Sequence, residues 1–536
     1  MYEILKKTAC RYMELNPADD IAFVPWTDSG FMQSEDGLYD FDFDKKFPAA
    51  PSGSVCYLMT VLESETDDTI SLACNPMRDS EIYINDTLIC KTTYPDEARP
   101  ALRQLLAPLK KGRNRLFVKC RKNRLGFGVS LGEVNIRWGT RLFYAPFAEY
   151  EGKLGFAYSK PFAEDIYSEP SRFPNITDAL AEDWLPKPSA SYDLRAVGGS
   201  TTFGKATYPA GVALYGLYET GKKLKDEALC GYVKAHIKTA AAMQHRALAE
   251  KAKYGVPLVN RQLTCTDCLD DCGSFANAVL NCYDGEEMPA EELELIKKSA
   301  DWILNGQERL ENGMFYRLKE GHNHYNTIWA DDLFMSVPFL CRYYKRTGEK
   351  KVIADAQNQL KCFYEKLYME DKQLMSHVYS LTHNTVTAIP WGRGNGWVLF
   401  TLSEILNVEE NEFLLDFFRR LCAGVLNCQD KDGMWHQLLD DRDSYAETSC
   451  TAMFVCAFAR GVKSGRLGAE YAESAKKGWA ALAKNAIAAN GDVTGVCRGS
   501  GYSFRREYYK HELTSKINDV HGIGIVLLAG IEASEL

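Results

Sequence analysis

The stretch Trp391-Gly392-Arg393-Gly394-Asn395-Gly396-Trp397-Val398-Leu399-Phe400-Thr401-Leu402 decides the fold. Its first half is polar and rich in glycine; its second half is continuously apolar. That pattern suits a helix that starts at an accessible end and then runs through a core. Four further runs share it: LDDCGSFANAVL (269–280), IWADDLFMSVPFL (328–340), SYAETSCTAMFVCAFA (444–459) and NDVHGIGIVLLAG (518–530). Between them lie ordinary surface helices such as EELELIKKSADWIL (291–304) and EKKVIADAQNQLKCFY (349–364), apolar on one face only. This alternation predicts an inner and an outer ring. The N-terminal ends of the inner helices then converge on one mouth, where free backbone N–H groups and positive helix ends favour an anionic ligand.

Working outward, helical periodicity recurs near 207–221, 225–249, 271–283, 290–309, 329–346, 351–368, 394–407, 411–427, 447–463, 467–487 and 520–535. With 176–185 as a twelfth helix, six antiparallel pairs make an (α/α)6 barrel. An open α-solenoid has no reason to gather unusual residues at the same end of alternate helices.

Upstream the pattern changes. Residues 50–145 read as strands, with short alternating runs of Val, Ile, Leu and Tyr bounded by polar turns. The hairpin IYINDTLI, followed by LLAPLKKGRNRLFVKCRKN, resembles the jelly-roll sandwiches found as sugar-binding or accessory modules beside glycosidases. A chain of 536 residues is too long for one ordinary core. The expected organisation is multidomain: a jelly-roll-like β-sandwich over 1–160, a linker and barrel entry rich in Pro and Gly over 161–204, and an all-α (α/α)6-barrel catalytic domain over 205–536.

A net charge of −9 argues against nucleic acid, which clustered Lys and Arg would grip. No run of 18 apolar residues predicts a membrane span, and the N-terminal MYEILKKTACRYMELNP lacks the apolar core of a secretory signal. The 17 cysteines are odd in number and often sit in apolar runs, which suits buried thiols and a cytoplasmic location. Cys265, Cys268 and Cys272 cluster without a fourth ligand at suitable spacing, so no metal is expected. No phosphate loop, dinucleotide fingerprint or HExxH zinc motif points to a cofactor. The sequence does not set the oligomeric state.

The runs Trp329-Ala330-Asp331-Asp332-Leu333-Phe334-Met335 and Trp391 to Trp397, with MWHQLLDDRDSYAETSCTAMFVCAFARG and DVHGIGIVLLAG, resemble the unsaturated rhamnogalacturonyl hydrolases of glycoside hydrolase family 105. Their cousins are the unsaturated glucuronyl hydrolases of family 88. The similarity keeps its order from about Thr207 to Glu535. It implies release of a 4,5-unsaturated galacturonyl or glucuronyl residue from a small, lyase-generated oligosaccharide. Protonation at C4 of the vinyl ether creates a cationic centre at C5, water adds there, and the hemiketal opens to expel the remaining sugar. One carboxyl that gives and takes a proton suffices, in place of the usual flanking pair.

On this resemblance Asp331 is the acid/base, its pKa raised by a partly dry mouth and neighbouring carboxylates. Asp271 supports it, and Asp270 could exchange roles with it. Arg393 offers a fork for the uronate carboxylate, while Trp391, Trp397 and Trp329 wall the sugar. His377 helps hold the uronate, with His383 a rival; His324 and His436 are rim residues. Tyr445, Glu447 and His521 start inner helices, where capping explains them as well as binding does. Competing functions are a barrel hydrolase or epimerase acting on saturated uronides or sugars, and a non-catalytic carbohydrate-binding protein.

Overall fold

The computed structural model describes residues 1–18, 22–26, 39–64, 66–75, 79–92, 103–124, 126–133, 156–174, 184, 193–197, 202–257, 259–318 and 325–536. The chain divides into two compact units. One comprises Met1–Asp20, Thr201–Ala242 and Thr266–Leu536; the other comprises Ile21–Ser200 and Met243–Cys265.

The larger unit is helical. Its helices are α1 (Tyr2–Leu15), α2 (Tyr208–Leu224), α3 (Glu227–Ala242), α4 (Gly273–Cys282), α5 (Ala290–Asp301) and α6 (Val337–Thr347), then α7 (Lys350–Leu367), α8 (Gly392–Ile405), α9 (Glu412–Asn427), α10 (Thr448–Lys463), α11 (Ala469–Asn485) and α12 (Val520–Ala533). The even-numbered helices close a ring: α2 packs on α4, α4 on α6, and so on round to α12, which packs back on α2. The odd-numbered helices lie outside, each against the inner helix before it, with α1 against α12 and α2. This is a closed six-pair toroid, not an open solenoid. Most inner helices are buried on all sides: in α10 every residue from Thr448 to Ala459 is buried, whereas α6 is so only over its first five residues, Val337 to Cys341. The outer helices bury one stripe, as α7 does through Val352, Ile353, Ala356, Leu360 and Phe363.

Ring closure depends on a close approach. A Cβ on Gly216 of α2 would stand 2.1 Å from the carbonyl oxygen of Gly524 in α12, and one on Gly524 would stand 2.0 Å from the carbonyl of Val212. Only glycine lets these backbones meet.

Two expectations about the chain's organisation are corrected here. Residues 2–15 form an outer helix that was not expected; the helix expected at 176–185 falls on residues that, Trp184 apart, lie outside the described ones. The boundaries at 160 and 204 therefore misplace the first helix, which completes the outer ring. They also misplace residues 243–265, which join the strand-rich unit although the chain reaches them between α3 and α4. Apolar patterning cannot say which core a segment joins when both cores offer an apolar face.

In the smaller unit a five-stranded sheet runs in the order 157–158, 55–64, 112–121, 79–84, 87–92. A four-stranded sheet runs 39–42, 128–133, 68–75, 103–109. Neighbours are antiparallel throughout. Both sheets feed one apolar core, with Leu58, Ile82, Leu116 and Val118 from the first, Phe41, Leu72, Val129 and Leu131 from the second, and Tyr254 from the helix Gln244–Tyr254. The 79–92 hairpin turns through Asn85-Asp86, with Asn85 at φ 53°, a left-handed conformation that asparagine tolerates.

At the C-terminal end of the ring, Glu404 of α8 accepts from Arg342 of α6 at 2.8 Å, Arg460 of α10 at 2.7 Å and the Tyr215 hydroxyl of α2 at 2.9 Å. These groups line a polar cavity of about 420 Å³. Burial alone would raise the Glu404 carboxyl, but Arg342 and Arg460 outweigh it and pull the pKa down to about 2 from 4.5. A carboxyl depressed on folding adds stability above its unfolded pKa, and that stability disappears as pH falls toward the folded value. Glu404 thus contributes about 3 kcal/mol at neutral pH that is lost between about pH 4.5 and 2. In acid unfolding followed by circular dichroism, Glu404→Gln should be less stable than the parent at pH 7 and show a shallower decline below pH 4.5.

Candidate active site

The six inner helices bring their N-terminal ends to one side of the ring, and each start carries polar chemistry. A short helical turn, Leu269–Asp271, leads into α4, and another, Ala330–Leu333, precedes α6. Trp391 precedes α8, while Glu447 and Asp519 cap α10 and α12 through their side chains. Gly273 lets the first two meet: a Cβ there would lie 1.6 Å from the carbonyl oxygen of Met335.

Asp331 is buried, 9% exposed, and its Oδ2 stands 3.3 Å from Nε2 of the fully buried His377. The two atoms are off the line of a hydrogen bond, and neither has another hydrogen-bond partner. His377 Nδ1 lies 2.6 Å from the Tyr509 hydroxyl. Its ring is held between Trp391, at 4.5 Å between centroids, and Trp329, at 4.9 Å. Burial alone would raise the Asp331 carboxyl, but His377, Arg317 and Arg393 together hold it below its ordinary value. The expected upward shift is thus reversed, because nearby positive charge outweighs burial.

The adjacent carboxylates are committed elsewhere. Asp332 takes two bonds from Arg317, at 3.2 Å and 2.5 Å, and Arg317 Nη2 also reaches Asp270 Oδ1 at 3.3 Å. Burial pushes Asp332 up to about 6 in spite of the guanidinium. The same guanidinium lies 4.7 Å over the Trp329 ring. Asp271 turns back into its own loop, where Oδ2 accepts from the Asp267 N–H at 3.1 Å and the Cys268 thiol at 3.8 Å. Asp270, not Asp271, is the carboxylate of this pair joined to Arg317 and acting electrostatically on Tyr208 and His521. The three-residue turn thus sends the two adjacent carboxylates, either of which was a candidate for the supporting place, in different directions. The ligand atoms of Asp267, Cys268 and Asp271 lie within 4.8 Å of one another. In this structure that closeness is the hydrogen bonding just described.

Arg393 is 1% exposed and its fork is occupied: Nη1 donates to the Cys497 carbonyl and Nη2 to that of Arg498, at 2.7 Å. Its guanidinium rests 4.8 Å over the Trp391 ring. Rather than a clamp for a substrate carboxylate, it is a buried charge fixed by backbone that lowers Asp331, His377 and Asp519. Glu447 holds the strand that fixes it, accepting the Cys497 N–H at 2.8 Å as well as the helix N–H groups of Ser449 and Cys450.

Of the other expected residues, Trp391 and Trp329 flank His377 as described. Trp397 does not wall the site; it is 1% exposed and stacks on Phe334 at 4.1 Å, packing α8 against the turn before α6. One helical turn and a half beyond Trp391, it points into the core. His436 is tied to Asp430 at 3.0 Å and to the Ser444 carbonyl, bracing its hairpin. His324 lies outside the described residues. Sequence reasoning missed Arg317, Tyr208, Asp519 and Tyr509. Tyr208 joins His521 Nε2, and His521 Nδ1 joins Asp519, forming a second hydrogen-bonded chain at the starts of α2 and α12. The alternation of helix starts pointed to Tyr208 and Asp519; nothing local marked Arg317 or Tyr509.

The geometry sets one buried carboxyl whose Oδ2 has no hydrogen-bond partner against a buried histidine. It lies at the N-terminal ends of the inner helices of an α/α toroid. The model of Glycosyl Hydrolase Family 88 matches residues 186–536, and the chain belongs to that family of glycosidases. Among curated relatives, the unsaturated rhamnogalacturonyl hydrolase YesR of Bacillus subtilis is 24% identical over 335 residues, 60% of this chain and 89% of the relative. An unsaturated 3S-rhamnoglycuronyl hydrolase of Formosa agariphila is 32% identical over 172 residues, 29% of this chain and 46% of the relative. Among solved structures, a C. acetobutylicum glycoside hydrolase from family 105 superposes with a TM-score of 0.54 at 21% identity. It covers 63% of this chain and 96% of that one, and shows the same fold.

Proposed function

We propose that the enzyme releases a 4,5-unsaturated uronic acid, galacturonyl or glucuronyl, from lyase-generated oligosaccharides, with Asp331 as the proton donor. The observation that carries this reading is the division of labour among the carboxylates. Asp270 and Asp332 are bound to Arg317 and Asp271 to its own loop, which leaves Asp331 as the one carboxyl facing His377 without a cationic clamp. Ordinary glycoside hydrolysis needs two working carboxylates across the bond. Hydration of a C4=C5 double bond needs one, which gives its proton to C4 and recovers a proton from the water that adds at C5. The names of the two relatives, both hydrolases of unsaturated uronides, support the same substrate class.

A depressed Asp331 does not oppose this. An arriving uronate places a second negative charge beside the carboxyl, and a like charge at close range raises a pKa. The proton is then taken up as substrate binds. Arg393 tunes this balance through its charge. The supply of pectic fragments, a cytoplasmic location and a jelly-roll-like accessory role for the two-sheet unit complete the reading. All 17 cysteines being thiols supports the location, and the shared core of the two sheets supports the sandwich.

The test is the ultraviolet absorbance of the conjugated double bond on a panel of unsaturated disaccharides from pectin, glycosaminoglycan and ulvan lyases. Absorbance should fall in step with release of the partner sugar. Equal release from saturated analogues would favour a conventional uronidase instead.

A further inference from the structure

We propose that Tyr509 is a positioning residue whose buried hydroxyl fixes the tautomer of His377, so that the imidazole presents N–H rather than a lone pair to Asp331. This rests on the reading of Asp331 as the proton donor. Tyr509 sits in the connection between α11 and α12 and is fully buried. Its Oη lies 2.6 Å from His377 Nδ1 and 3.3 Å from the backbone nitrogen of Ser503. The Ser503 N–H can only donate, and a phenol oxygen has one proton and little acceptor capacity beyond one in-plane lone pair. With that lone pair engaged by Ser503, the hydroxyl proton goes to Nδ1. Burial pushes the phenol's pKa far upward, so the proton stays in place. A neutral imidazole carries one N–H, which then resides on Nε2, the atom 3.3 Å from Asp331 Oδ2.

The ring cannot escape this arrangement by flipping, since Trp391 and Trp329 pack against it. The opposite tautomer would set a nitrogen lone pair against a carboxylate oxygen, a repulsion relieved only if Asp331 took up a proton. Tyr509 therefore governs how Asp331 rests before substrate arrives. The same connection supplies the Cys497 and Arg498 carbonyls that hold Arg393. Both neighbours that lower Asp331 from this side, His377 and Arg393, are thus placed by one segment of chain.

The experiment uses the full chain with ¹⁵N-labelled histidine and two-bond ¹⁵N–¹H correlation spectra. There are 9 histidines, and His377→Gln identifies the signal. In the parent protein His377 should show an unprotonated Nδ1 and a protonated Nε2. A protonated Nδ1 there would overturn the proposal, whether or not any variant folds. Tyr509→Phe should move both nitrogens toward the averaged shifts of mixed tautomers. On an unsaturated disaccharide it should lower kcat about 10- to 100-fold with KM nearly constant, as losing a histidine's orienting partner does. Mixed tautomers with unchanged kcat would also overturn it. The expected spectra with no turnover by the parent would uphold the role of Tyr509 and sink the functional reading instead.

Discussion

Asp331→Asn is expected to cut turnover of an unsaturated disaccharide by about 10³-fold or more, at the upper part of the range for losing a general acid. The amide has the carboxyl's shape but cannot release a proton to C4. Among the described residues the adjacent carboxyls are engaged elsewhere: Asp332 and Asp270 are bound to Arg317, and Asp271 is turned into its loop. The substitution should leave the fold unharmed. Positive neighbours hold the carboxyl below its ordinary value, so losing its charge should lower the melting temperature modestly at neutral pH while the circular dichroism of the helices is kept. A variant that kept activity would remove Asp331 from the chemistry. One that lost activity only by unfolding would leave the question to substrate-binding measurements on Asp331→Glu.

The largest effect on stability is expected from Arg317→Ala. Arg317 and Asp332 are both buried, at 9% and 1% exposed, and the guanidinium also serves Asp270 and covers Trp329. A buried pair adds little over an apolar replacement, but breaking one from a single side leaves an uncompensated charge and costs about 3–5 kcal/mol. The two turns carrying Asp270 and Asp331 would lose the cation that joins them, so activity should fall as well. Chemical denaturation should show a lower midpoint with an unchanged slope. Removing the partner too, in Arg317→Met with Asp332→Leu, should recover most of the stability. If Arg317→Ala alone cost less than about 1 kcal/mol, the pair would be acting as a surface salt bridge does.

Much of the helical fold was legible because its inner helices differ in kind from its outer ones. A segment such as SYAETSCTAMFVCAFA is apolar all round after a polar start, and that asymmetry is a local property of the chain. The sixth outer helix was not legible. Residues 2–15 form an ordinary amphipathic helix, and nothing in them tells that Leu5 meets Gly530 at the far end of the sequence. At the site, Asp331, His377, Trp391 and Trp329 come together as expected. Arg393 and Trp397 show where residue type misleads. A guanidinium between two glycines suits a ligand fork, yet its donors go to carbonyls more than a hundred residues later. A tryptophan six positions after Trp391 lies on another face of the same helix. Tyr509 was invisible for the same reason, since its partner is 132 residues away in sequence. Sequence spacing reports local faces; long-range hydrogen bonds need coordinates.

The proton that Asp331 delivers can be followed directly. Turnover of an unsaturated disaccharide in heavy water, read by proton NMR of the released uronate, should place one deuterium at C4 and none elsewhere on the carbon skeleton during early turnover, and Asp331→Asn should form no such product. Release of the uronate without deuterium at C4 would contradict protonation of the double bond as the step that cleaves the sugar.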